Sequence, residues 1–191
     1  MLKLFSLRKI SLIAVFILVF ALVLPGLGKK IAAEKEQVYL MFFKQKVWDF
    51  ARKYKDKDVL VVSKKDHLLY YYKNGKLVRD DKWNGFTFDF PVKVSLADKW
   101  HRTPEGEMYV DYKNKWSQYT LFLSLSNPGA YGIHGAPTYL KSYLNKMEKQ
   151  NPDLVFVTKK DDTRGCVAVE NRVIKYLFAN VDVGTPVLIM Q

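Results

Sequence analysis

The chain is predicted to be mainly β with short helices, its sheet closed or nearly closed, behind an N-terminal hydrophobic segment. Three observations predict this. From residue 58 onward the periodicity changes to that of strands, with Phe90, Val92, Val94 and Leu96, and again Tyr119, Leu121, Leu123 and Leu125, at every second position. Asn74-Gly75 lies between two β-prone runs, the strongest short-range hairpin signal. Past residue 58, helical spacing appears in only two short stretches.

Residues 1–9 hold Lys3, Arg8 and Lys9 with no acid. Ile10 to Leu24 is apolar apart from Ser11 and ends in Pro25-Gly26-Leu27-Gly28. A basic stretch followed by an apolar one marks an exported protein. Its length lies between that of a signal peptide and of a spanning helix, so residues 1–28 are expected to be a signal peptide or a membrane anchor. Pro25 predicts a break there. Residues 29–57 follow as an amphipathic helical linker: Leu40, Phe43, Val47, Phe50 and Tyr54 repeat at helical steps among lysines and arginines. The charged run Lys55 to Asp58 marks a boundary, and 58–191 is the globular domain.

Within that domain, Val59 to Val62 is a short buried strand. His67 to Tyr72 and Lys76 to Arg79 flank Asn74-Gly75 as a hairpin. Phe90, Val92, Val94 and Leu96 alternate with Pro91, Lys93 and Ser95, giving a half-buried strand. Thr103-Pro104-Glu105-Gly106 is a turn, with a strand over Glu107 to Tyr112. Tyr119 to Leu125 alternates again. Leu140, Tyr143, Leu144 and Met147 form a helical stripe with Thr138 as its cap, and Asn171 caps a second helix running through Phe178. Pro186 to Met190 is the terminal strand.

The 191 residues carry a formal net charge of +12. Without residues 1–28, 28 Lys and Arg still face 19 Asp and Glu. Such a surface favours anionic partners. No finger, basic helix or RNA-reading strand is present, which argues against nucleic acid. Cell-wall polymers and lipid head groups remain, beside the plain alternative of a solvated basic face. His67 and His101 have no partner at metal-ligand spacing, so no metal is assigned, and no organic cofactor is called for.

Cys166 is the single cysteine, and an unpaired thiol in an exported protein is either buried or kept for reactivity. It follows Gly165 in Thr163-Arg164-Gly165-Cys166-Val167, while His134 lies between Ile133 and Gly135. A thiol and an imidazole flanked by glycines suit a nucleophile and its base. The competing reading is a small buried hydrophobe and a satisfied core histidine.

Four motifs in order decide between them. The hairpin Leu68 to Lys76, the Thr103-Pro104-Glu105-Gly106 turn, Ile133-His134-Gly135 and Thr163-Arg164-Gly165-Cys166 resemble the L,D-transpeptidase, or YkuD-like, catalytic domain over about residues 58–191. The resemblance implies a β-sandwich-like or barrel-like domain acting on peptidoglycan stem peptides in the bacterial envelope. It implies Cys166 as nucleophile at an L–D bond, His134 as general base and acid, and an acyl-thioester resolved by an amine or by water. A neighbouring imidazolium, and the guanidinium of Arg164, would favour the thiolate. Backbone N–H groups of Gly165 and Cys166 are the expected oxyanion donors. Thr163 is expected to hydrogen-bond within the site, Gly135 to keep space beside the imidazole and Tyr131 to line the cleft.

The chain departs from the family pattern in two ways. His134 and Cys166 are 32 residues apart, wider than in many members, and the additional chain includes Lys149 to Asp153 and the β-like Leu154 to Val157. That insertion reads as a lid or as a surface excursion. Ala168 stands where many members carry an arginine suited to a substrate carboxylate. This version resembles the branch that hydrolyses protein–peptidoglycan links, and Arg164 or Arg172 is then the candidate for anion binding. Two alternatives come from outside the family: a sortase-like transpeptidase, disfavoured by the Gly165-Cys166 junction, and a non-catalytic, membrane-tethered wall-binding module.

Overall fold

The computed structural model describes residues 4–151 and 161–191, with side chains of the first helix from Lys29 onward. That helix, α1 (Leu4–Lys53), runs unbroken through Pro25, where the sequence predicted an interruption. Among the described residues no helix is long and apolar enough to cross a membrane. The Ile10 to Leu24 run, expected as leader or anchor, has its side chains outside the described residues. Two compact units are distinguished, Met1–Trp48 and Asp49–Gln191. The last helical turn belongs with the second unit: Phe50 meets Tyr54 edge to face at 5.0 Å, and Lys53 Nζ pairs with Glu107 at 2.5 Å.

The second unit is built on strands β1 (Val59–Ser63), β2 (Leu68–Lys73), β3 (Lys76–Leu77), β4 (Asp81–Trp83), β5 (Phe86–Phe88), β6 (Val92–Lys93), β7 (Gly106–Asn114), β8 (Phe122–Leu125), β9 (Gly132–His134), β10 (Val167–Ala168) and β11 (Pro186–Met190). Helix α2 (Lys141–Gln150) follows β9, and α3 (Asn171–Asn180) follows β10. Nine strands form one curled sheet in the order β10-β9-β8-β7-β11-β1-β2-β3, with β6 also on β2. The pairs β1–β11 and β9–β10 are parallel. Just past β6, Ser95 exchanges hydrogen bonds of 3.0 and 2.9 Å with Ala168 of β10. The two ends of the sheet thereby meet, as the expected near-closure requires.

The hairpin at Asn74-Gly75 is present, with both residues at positive φ (50° and 72°) as its tight turn demands. In the Phe90 to Leu96 run only Val92–Lys93 is strand, because Pro91 has no N–H to give the ladder. The side-chain alternation survives this, with Phe90, Val94 and Leu96 all buried. Tyr71, Phe90 and Tyr176 anchor the core, Phe88 stacking on Tyr176 at 4.2 Å. The buried hydroxyls of Tyr71 and Tyr176 donate to Asp58 and Asp81.

Both helix caps are other than predicted. Thr138 lies in a short 3-10 turn, Thr138–Leu140, and its hydroxyl donates to Gln118 O at 3.2 Å. The α2 stripe is only partly covered: Tyr143 is exposed, and the residue α2 buries is Glu148. Glu170 is the N-cap of α3, and Asn171 lies inside the first turn with no capping hydrogen bond. Its side chain instead accepts the Ala136 N–H at 2.9 Å. The β-like Leu154 to Val157 segment lies outside the described residues.

Candidate active site

Parallel pairing of β9 with β10 sets the geometry of the site. Val167 is in register with Ile133 and Ala168 with His134, which places Cys166 beside Gly132. Side chains alternate along a strand, so Cys166 and His134 emerge on the same face as diagonal neighbours. All of β9 is buried, and His134 is 4% exposed. Its ring stacks on Tyr119 at 3.7 Å. Nδ1 lies 2.7 Å from Gly135 O, so the imidazole donates its proton there and Nε2 is the bare nitrogen. Nε2 is buried with no hydrogen-bond partner among the described residues.

The Cys166 thiol is buried and donates to Ala130 O at 3.7 Å, not to the imidazole. Burial raises its pKa, more than the Gly132 N–H lowers it. Burial likewise holds His134 below the usual histidine value, against the smaller opposing effects of Gly135 O and Asp162. Desolvation therefore opposes both charges. This favours the thiol and the neutral imidazole, whereas the sequence reading expected a neighbouring imidazolium to favour the thiolate.

The turn before Cys166 is held by Thr163. Its hydroxyl donates to Cys166 O at 2.7 Å and accepts the Gly165 N–H at 3.3 Å. Gly165 has φ +114°, and a Cβ there would lie 2.3 Å from the Tyr131 ring. Tyr131 thus packs directly over the cysteine turn. The room at Gly135 serves a purpose different from the one expected. A Cβ there would meet Asn171 Oδ1 and Ile174 Cγ2 at 2.7 Å each, so this glycine admits α3, not the imidazole. Gly135→Ala is expected to destabilise the domain by about 1–3 kcal/mol. A denaturant midpoint equal to wild type would contradict that.

A cavity of about 640 Å³ opens beside His134, lined also by Tyr119, Thr163, Arg164, Glu148 and Asn171. Arg164 is exposed at its rim. Arg172, the other candidate for anion binding, is committed: its Nε lies 2.7 Å from Glu170 Oε2. Ala168 lines the cavity as well. His67 and His101 pair with Asp161 and Asp98 at 2.9 and 2.7 Å, away from His134. Sequence reasoning missed Tyr119, Glu148 and Asn171 as parts of the site. An acid on the basic helix α2 was the one local signal for Glu148; its burial arises only from tertiary packing.

A family model for the YkuD L,D-transpeptidase catalytic domain matches residues 57–189. The chain belongs to the L,D-transpeptidase family. The curled sheet is the fold of solved L,D-transpeptidases. L,D-transpeptidase 3 from Mycobacterium tuberculosis, solved with a faropenem-derived adduct, is similar at TM-score 0.53 and 15% identity, covering 71% of this chain and 60% of that one. The Enterococcus faecium L,D-transpeptidase gives 0.50 and 19%, covering 70% and 50%. Its isolated catalytic domain gives 0.50 and 19%, covering 71% and 98%. This L,D-transpeptidase chain thus spans about 50–60% of the longer relatives. A search of curated proteins finds none that matches.

Proposed function

We propose that the domain acts on peptidoglycan stem peptides in the bacterial envelope, with Cys166 as nucleophile and His134 as its base. The observation that carries this is the bare Nε2 of His134, aimed by the Nδ1 bond to Gly135 O and set on the same sheet face as Cys166. A base fixed by a third group beside a thiol is the arrangement nucleophilic catalysis needs. Sγ attacks the carbonyl of an L–D peptide bond while Nε2 takes the thiol proton. That proton then goes to the departing amine of the terminal D-residue, and the acyl group stays on sulfur as a thioester. A second amine, or water, resolves it. Because both groups are neutral at rest, proton transfer accompanies attack instead of preceding it. The Gly165 N–H is engaged by Thr163, which leaves the Cys166 N–H as the principal oxyanion donor. Arg164 at the rim is placed to meet a substrate carboxylate. The basic and apolar N-terminal sequence supports export to the envelope.

The test is intact-protein mass spectrometry of the full chain incubated with a stem tetrapeptide ending in a D-amino acid. The expected product is a Cys166 adduct whose added mass equals that of the tetrapeptide less the free D-amino acid, which is released. A protein whose mass never changes, and a tetrapeptide left whole, would refute the proposal.

A further inference from the structure

The imidazole of His134 is held in two ways that do different things. Stacking on Tyr119 at 3.7 Å fixes the plane of the ring. It does not fix which ring nitrogen carries the proton or which way each nitrogen points, because a half-turn about Cβ–Cγ leaves a stacked ring stacked. That choice falls to the bond from Nδ1 to Gly135 O, 2.7 Å long, since the partner of one ring nitrogen sets the state of the other. Whatever keeps Gly135 O in place therefore acts on the base itself.

The Gly135 C=O and the Ala136 N–H belong to one planar peptide unit and point in opposite directions. Its N–H end is gripped by Asn171, whose Oδ1 accepts it at 2.9 Å. A chain of hydrogen bonds results, from Asn171 Oδ1 through this peptide to His134 Nδ1–H. Bonds in such a chain polarise one another, the more so away from water, and His134 and Asn171 are 4% and 1% exposed. Neighbouring backbone groups are held by other partners. Ala136 O takes the Thr120 N–H and hydroxyl at 2.8 and 3.0 Å, and His134 O takes the Val169 N–H at 2.8 Å. These bonds pin the segment and leave the tilt of the Gly135–Ala136 unit to Asn171.

Stability alone gives no reason for an asparagine here. Asn171 lies inside the first turn of α3, past the N-cap Glu170, where asparagine is a poor helix former. Its Nδ2 is buried with no hydrogen-bond partner among the described residues, a costly state for a donor. An apolar side chain would fill the space without that cost, but it could not accept the Ala136 N–H. Gly135 is fitted to the same contact, since a Cβ there would lie 2.7 Å from Asn171 Oδ1.

We propose that Asn171 is a positioning residue for His134: acting through the Gly135–Ala136 peptide, it holds the imidazole as its Nδ1–H tautomer with Nε2 bare. For its consequence in catalysis the inference rests on the reading of His134 as the base for Cys166. Asn171 follows Cys166 by five residues, so the short segment that presents the nucleophile also carries the group that orients the base. A displacement of that segment moves both together.

The test reads the tautomer directly. Full-length protein in detergent, with nitrogen-15 in its histidine rings, is measured by NMR at a pH where the imidazoles are neutral, because protonated and bare ring nitrogens resonate far apart. The His134 signals are identified by their loss in His134→Gln. Wild type is expected to carry its proton on Nδ1. Asn171→Leu fills the same space without an acceptor. It is expected to lower the Nδ1–H share, the Nε2–H form rising in its place, and to lower kcat on the stem tetrapeptide about 10–100-fold, the scale of losing an outer partner of a functional imidazole. Asn171→Asp returns an oxygen to the Ala136 N–H and is expected to retain the Nδ1–H form. An Nε2–H tautomer in wild type, an unchanged tautomer or kcat in folded Asn171→Leu, or equal loss of the Nδ1–H form in Asn171→Asp would overturn the proposal. Should Asn171→Leu fail to fold, Asn171→Ala, which adds no bulk, takes its place with the same expectation. The tautomer is read without turnover. A tautomer that shifts in a protein whose Cys166 never forms an adduct would refute the catalytic reading and leave the positioning role standing.

Discussion

Cys166→Ala is expected to abolish turnover of a stem tetrapeptide, lowering the rate on the order of 10⁴-fold or more, the scale seen when an essential nucleophile is removed from a covalent mechanism. The folded protein should survive the change. Cys166 Sγ makes only weak polar contacts, 3.7 Å to Ala130 O and with the Gly132 N–H, and its loss removes one sulfur from a sheet held by many residues. The result is therefore a dead enzyme with a thermal midpoint close to wild type, and mass spectrometry should find no adduct. Turnover that persists in Cys166→Ala would remove the thioester from the mechanism. A collapse of stability would reassign the thiol as a packing group.

His134→Gln should cost about 10²–10⁴-fold in kcat/KM, the usual contribution of a positioned general base. Its more telling effect is on pH dependence. In the proposed mechanism the reactive pair is neutral imidazole with protonated thiol, so activity falls in acid as His134 gains a proton and falls in alkali as Cys166 loses one. Burial moves the first event below the ordinary histidine value of 6.5 and the second above the ordinary thiol value of 9.0. The plateau in wild-type kcat/KM should thus be wider than that span on both sides. In His134→Gln the acid limb should disappear, and alkylation of Cys166 by iodoacetamide in either protein should be slow at neutral pH and still rising with pH beyond 9. A wild-type acid limb at or above 6.5, or fast alkylation at neutral pH, would indicate a preformed ion pair.

The hairpin at Asn74-Gly75, the strand Val59–Ser63 and the terminal strand were legible because each is specified locally, by turn chemistry or by an unbroken β-branched run. His134 and Cys166 stood out through their glycine-flanked motifs, and the pairing of β9 with β10 brings the two segments together. Their electrostatics were not legible, since desolvation depends on what packs over them: Tyr119 over the imidazole and Tyr131 over the cysteine turn. Asn171 shows the limit most clearly. Read along the chain it is a helix cap; in the fold its carbonyl is drawn to Ala136, 35 residues away, and the helix begins one residue earlier without it. The Phe90 to Leu96 run kept its alternating burial yet lost most of its ladder, because side-chain period and backbone pairing are separable and Pro91 blocks only the second.

The two backbone bonds between Ser95 and Ala168 complete a ring of strands, and the residue two positions before Ala168 is the cysteine. The segment that carries Cys166 is held by a full neighbour on one side and by two isolated residue pairs, Ser95–Ala168 and Ala97–Thr163, on the other. In a cyclic structure the sparsest joint is where the circle opens at least cost. Here that joint sits beside the residue that, in the proposed reaction, accepts a bulky acyl group. The scaffold can therefore stay rigid elsewhere while the wall nearest the sulfur yields to admit a peptide, so stability and access are assigned to different arcs of the same circle.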